Sequence, residues 1–210
     1  LAAGEEWRWT NHLMNGPIHY EIEDRNIQEF KDMEDMEFLY GDNYRNLFDL
    51  YLQNSTVKPS LAPARAVSDS MAEFATGKAA MVQNGNWAWS QISSESGNVV
   101  KEDKIKFMPM YMGLPNEENV GINVGTENFL CVNNKASEED QKATRDFLKW
   151  LFLSDRGKEL VVNELGFIAP FENYDTEDVP DDPLARQVQL PFCTIAALPV
   201  ANSAMESDTA

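Results

Sequence analysis

Trp87 follows the turn Asn84-Gly85-Asn86, and Trp7 follows the acidic pair Glu5-Glu6. An indole presents a flat, electron-rich face to C–H groups, while its N–H can meet an oxygen. A pyranose has the complementary form, with one face of C–H groups and a rim of hydroxyls. Glu5, Glu6 and Asn86 are residue types that bond such a rim, and a matched rim discriminates because a mismatched analogue leaves buried polar groups unpaired. On the residues alone two readings of Trp87 stand, a ring platform and a core aromatic. Trp89, two positions on, points elsewhere and reads as core. Glu5 and Glu6 equally suit the first turn of a helix, where the dipole favours anions.

Other chemistries find less support. His12 and His19 have no metal-ligand spacing, and the chain has no CxxC or HExxH, so neither a metal nor a cofactor is expected. Cys131 and Cys193 read as free, buried thiols. Glycoside cleavage needs two carboxylates about 5–10 Å apart across the scissile bond, and no such pair stands at expected strand ends, so the expectation is a protein that is not an enzyme. Seventeen basic and 35 acidic residues leave a net charge of −18, a field that repels phosphate backbones and excludes nucleic acid as a partner. The same self-repulsion favours a monomer. A cationic ligand would want carboxylates around the aromatics. An anionic one would want Arg, Lys or open helix N-termini, and few bases stand among the candidates.

The elements that must position these side chains follow from periodicity. Tyr44, Leu47, Phe48, Tyr51 and Leu52 form one apolar face of a helix over Asn43 to Asn54. A weaker period through Ile27, Phe30, Met33 and Met36 suggests a partly exposed helix over Asp24 to Leu39. Lys58 to Ala64 reads as an extended connector. A short helix with Met71, Phe74 and Ala75 starts at Ser68 and stops at Gly77. Arg65 and Asp69 beside its start suit a solvated ion pair. Strands are expected at Ala79 to Val82, Ile105 to Met110 and Asn128 to Val132, and a helix at Trp87 to Ser93. Ser137-Glu138-Glu139-Asp140 begins a helix with Ala143, Phe147, Trp150 and Leu151 on one face. Ser154-Asp155 restarts it through Leu160, Val161 and Leu165 as far as Gly166, and Glu172 to Pro183 is a surface loop. Alternating strands and helices favour an α/β class with a mainly parallel sheet.

Three stretches carry a resemblance: AEFATGKAAMVQNGNWAWSQI (Ala72 to Ile92), VNNKASEEDQKATRDFLKWLFLSDRGKELVVNELGFIAP (Val132 to Pro170) and, more weakly, GEEWRWTNHL (Gly4 to Leu13). Their order and content resemble the sugar-binding extracellular solute-binding proteins, the capture components of ABC importers whose best-known members are the maltose-binding proteins. The resemblance implies a periplasmic-binding-protein-like α/β fold (type II) of two lobes. On that template residues 1–120 belong to the second lobe, 121–166 cross to the first, and 167–210 return, with most of the first lobe lying before Leu1. It also implies non-catalytic capture of a carbohydrate, ABC permease subunits as partners, and an extracellular or periplasmic location, lipid-anchored or free. Trp87 and Trp7 match cleft-facing aromatic positions, with Glu5 or Glu6 nearby. GINVGTENF (Gly121 to Phe129) would be the lobe crossing, with Gly hinges and with Glu127 and Asn128 at the cleft, where turn residues are an equal reading. The same fold could instead take a peptide or an amine.

Overall fold

A computed structural model describes residues 3–14, 18, 20, 21, 34, 35, 37–115, 117–119, 121, 122, 129–175 and 177–188. The chain divides into two units, Leu1–Val120 and Gly121–Ala210.

In the first unit, α1 (Gly41–Gln53) buries Tyr44 and Leu47, as its period predicts. Leu47 packs with Met112 and Leu114, and Tyr20, Tyr40 and Tyr51 cover that cluster. The 112–114 segment is held by polar groups as well. Asn43 Nδ2 donates to the Met112 carbonyl at 2.7 Å. The buried Glu117 carboxylate accepts the N–H groups of Met112, Gly113 (2.6 Å) and Leu114 (3.0 Å). Pro59–Ala64 is 3-10 helix rather than an extended connector; Pro59 at its first position has the φ a helical turn needs.

α2 (Val67–Ala75) and α3 (Ala88–Ser93) pack against each other, burying Met71 and Ala75 on one and Ala88 and Ile92 on the other. The start of α2 is not capped by Ser68, as its sequence suggests. Asp69 accepts the Ala66 N–H at 3.0 Å, and Glu5, from far along the chain, accepts the Val67 N–H at 3.0 Å. Both carboxylates thus stand where the helix dipole is positive. Gly77, at φ +75°, ends the turn that follows. Arg65 lies 3.8 Å from Asp69 and also pairs with Glu73.

In the second unit, Ser137 caps α4 (Glu138–Leu153) by accepting the Asp140 N–H at 3.2 Å. Ser154 restarts the chain as α5 (Asp155–Glu159), accepting the Gly157 N–H at 3.1 Å. A π-helical turn, Leu160–Glu164, buries Val161 and Val162. Pro183 starts α6 (Pro183–Val188), which buries Leu184 and Ala185. Glu172 to Pro183 runs mostly on the surface as expected, although Pro180 and Pro183 are buried.

Several expectations are corrected. The face of α4 that the sequence marks as core is open: no α4 residue is buried, and Phe147 and Trp150 stack on each other with centroids 6.0 Å apart. Burial in this unit falls instead on Val161, Val162, Leu184 and Ala185. Among the described residues there is no strand, so the α/β expectation is not met there. Ala79 to Val82, Ile105 to Met110 and residues 129–132 are irregular, since a strand persists only with a neighbour to complete its hydrogen-bond ladder. Ala79 instead donates its N–H back to Glu73 at 3.2 Å. Cys131 is exposed, not buried. Most of the helix expected over Asp24 to Leu39, together with His19, Glu127, Asn128 and Cys193, lies outside the described residues. No helix among the described residues is long and apolar enough to cross a membrane.

Candidate functional site

The aromatic residues singled out by the sequence meet in the first unit. Trp7 leads into a π-helical segment, Arg8–Leu13, in which Met14 N–H returns to the Trp9 carbonyl at 3.0 Å. Hydrogen bonding to the fifth residue back widens the turn, so positions five apart come close to one face. Trp7 and His12 are such a pair, in edge contact with centroids 4.8 Å apart. On its other flank His12 meets Trp87, with centroids 5.6 Å apart. The imidazole therefore joins two tryptophans separated by eighty residues of chain. Both rings remain reachable, with Trp7 36% and Trp87 41% exposed.

Trp87 owes its position to Gly85. A Cβ at Gly85 would lie only 2.2 Å from Trp87 Cζ3 and 2.3 Å from Cη2. The indole folds back onto the bare Cα of the turn, and the turn closes through Ala88 N–H to the Gly85 carbonyl at 3.0 Å. Trp87 itself forms the N-cap of α3. The glycine therefore serves as a packing surface for the ring rather than as a bend.

Beneath the rings lies a polar layer. Arg8 is fully buried; its Nη1 donates to the Gln83 carbonyl at 2.6 Å and to Gln83 Oε1 at 2.5 Å. Gln83 Nε2 lies 2.9 Å from His12 Nδ1. The Arg8 guanidinium carbon sits 4.5 Å from the Trp7 ring centroid, a cation–π contact. Arg8 Nε and Nη2 are buried and make no hydrogen bond among the described residues. Burial pushes the Arg8 pKa below its ordinary value, with Glu5 and Tyr51 acting in the opposite direction. Burial raises the Tyr51 pKa, and Arg8 acts against that rise.

The remaining candidates are distributed unevenly. Glu5 is engaged at the start of α2. Glu6 is exposed, and its carbonyl accepts from Thr10 at 3.4 Å. Asn86 is half-buried in the Gly85 turn. Its neighbour Asn84 donates to Met71 Sδ at 3.3 Å and leaves a buried Oδ1 without a partner. Trp9 is structural: its N–H donates to the Ala3 carbonyl at 2.8 Å and its ring lies against Phe48. Trp89 is half-buried. Sequence reasoning missed Arg8, His12 and Gln83. The available signal was an arginine enclosed by two tryptophans, Trp7-Arg8-Trp9, an unusual place for a solvated charge.

In the second unit an open groove of about 310 Å³ is lined by Asp155, Lys158, Glu159 and Asp178 among others, with no tryptophan in its wall. Lys158 pairs there with Asp178 at 3.1 Å.

The family described as bacterial extracellular solute-binding protein matches residues 27–187, most of the chain. The chain belongs to that family. No solved structure gives a significant match. This solute-binding protein is thus a capturing component for a small molecule, working in an extracellular or periplasmic location with an ABC transporter. The matched span contains Gln83, Gly85 and Trp87, whereas Trp7, Arg8 and His12 stand before it.

Proposed function

We propose that this solute-binding protein captures a carbohydrate, mono- or oligosaccharide, and delivers it unaltered to the permease of an ABC importer. The observation that supports this most is the pair of half-exposed tryptophans, Trp7 and Trp87, set on either side of His12. Reachable indole faces suit the C–H face of a sugar ring, and the amide of Asn86, in the turn beside Trp87, supplies a hydroxyl partner. In this reading residues 1–120 and 167–210 belong to the second lobe and 121–166 cross to the first, with Glu127 and Asn128 passing the cleft. The protein acts as a monomer, lipid-anchored or free, and performs no catalysis; Glu5, two residues before Trp7, is engaged at a helix start.

Titrating the full-length protein with a panel of saccharides while recording tryptophan emission should give a saturable change without product. Trp87→Ala should weaken that binding at least about tenfold, from loss of ring stacking and buried apolar area. Appearance of new reducing ends, or an affinity unaffected by Trp87→Ala, would refute the reading.

A further inference from the structure

Arg8 is a fully buried cation with no carboxylate at ion-pair distance among the described residues. Its Nη1 is occupied by Gln83, but Nε and Nη2 are left without hydrogen bonds. Those two atoms form one edge of the guanidinium, where the N–H vectors run side by side. That edge matches the two oxygens of a single carboxylate, the bidentate geometry for which arginine is suited and lysine is not. A buried charge with unmade hydrogen bonds is destabilising unless something satisfies it. The guanidinium lies 4.5 Å from the Trp7 ring centroid, so this unsatisfied fork is in van der Waals reach of one of the two exposed rings.

We propose, building on the carbohydrate reading, that the ligand is an acidic sugar whose carboxylate engages the Nε–Nη2 edge of Arg8 while its ring stacks on the tryptophans. The half-exposed Trp7, which covers the guanidinium, shifts to admit the acid group. With a net charge of −18, the chain as a whole does not attract anions. Selection for an acid therefore rests on this one desolvated cation. A sugar phosphate offers the same kind of oxyanion, but three oxygens in a tetrahedral arrangement fit a sealed two-donor edge less well than a planar carboxylate.

Calorimetry on the full-length protein with matched pairs, glucose against glucuronate and galactose against galacturonate, as monomers and oligomers, tests this, with glucose 6-phosphate as a further arm. An acid should bind at least tenfold tighter than its neutral counterpart and tighter than the phosphate. In Arg8→Lys, which keeps the charge and loses the fork, that preference should fall below threefold. If Arg8→Lys fails to fold, the wild-type ratio decides alone. Neutral sugars binding as tightly as their acids would overturn the proposal and leave carbohydrate capture standing. A phosphate preferred over the acids would overturn the carboxylate assignment. No saturable binding of any of these sugars would overturn both readings.

Discussion

Replacing Gly85 with alanine tests whether the position of Trp87 is set by ring packing on the turn. The added Cβ would lie 2.2 Å from the indole, so the ring must retreat by about 1.2 Å to reach the 3.4 Å of ordinary contact. The backbone does not resist the change, because Gly85 is not among the glycines with positive φ. The rigid indole of Trp87 has to move as a whole, while the backbone stays in place. Two opposing effects on stability result: an off-rotamer indole costs about 1 kcal/mol, while the stiffer unfolded chain returns about 0.4–1 kcal/mol. The net change in stability should therefore stay within about 1 kcal/mol. The site should suffer more, because the retreating ring loses its 5.6 Å contact with His12 and its alignment with the carbohydrate proposed above. Saccharide affinity should fall at least about tenfold, which is about 1.4 kcal/mol. Thermal unfolding, tryptophan emission and calorimetry on the same sample separate these effects. A loss of more than about 3 kcal/mol of stability, or emission and affinity identical to wild type, would refute the packing argument.

Two further substitutions test the supports of each unit. Glu117→Ala removes a buried carboxylate that satisfies three consecutive N–H groups, from Met112, Gly113 and Leu114. It should destabilise the first unit by about 3 kcal/mol, read as a lower urea midpoint with loss of amide protection at 112–114. Gly157→Ala would set a Cβ 2.2 Å from the Leu151 carbonyl and 2.4 Å from that of Trp150, both backbone atoms that cannot step aside. A cost of about 3 kcal/mol, seen as faster hydrogen exchange in α5 and Leu160–Glu164 with the first unit unaffected, is expected.

What the sequence revealed was mostly local. The apolar period of α1, the serines before α4 and α5, and the stops at Gly77 and Gly166 depend on neighbours within a turn, and each is found close to its expected place. The expected strands depend on partners distant in the chain, and an apolar run such as Ala79 to Val82 does not specify its own ladder. The α4 stripe shows the same limit: a helical period identifies which face is apolar, not whether another element covers it. Of the candidate site, the aromatic half was legible. Trp7 and Trp87 stood out by type and context, and the structure brings them together through His12. The burial of Arg8 was hinted at only by its place between Trp7 and Trp9, and the π-helical spacing that carries His12 beside Trp7 arises from tertiary packing that no short motif encodes.

The order of bonds from Arg8 through Gln83 to His12 has a consequence for where one proton resides. A guanidinium only donates, so the amide of Gln83 must turn its oxygen toward Arg8 and its NH2 toward the imidazole. His12 Nδ1 must then accept, which leaves the ring hydrogen on Nε2. An arginine with no direct bond to the histidine thereby dictates its tautomer, and with it which nitrogen of a ring that touches both indoles is the donor.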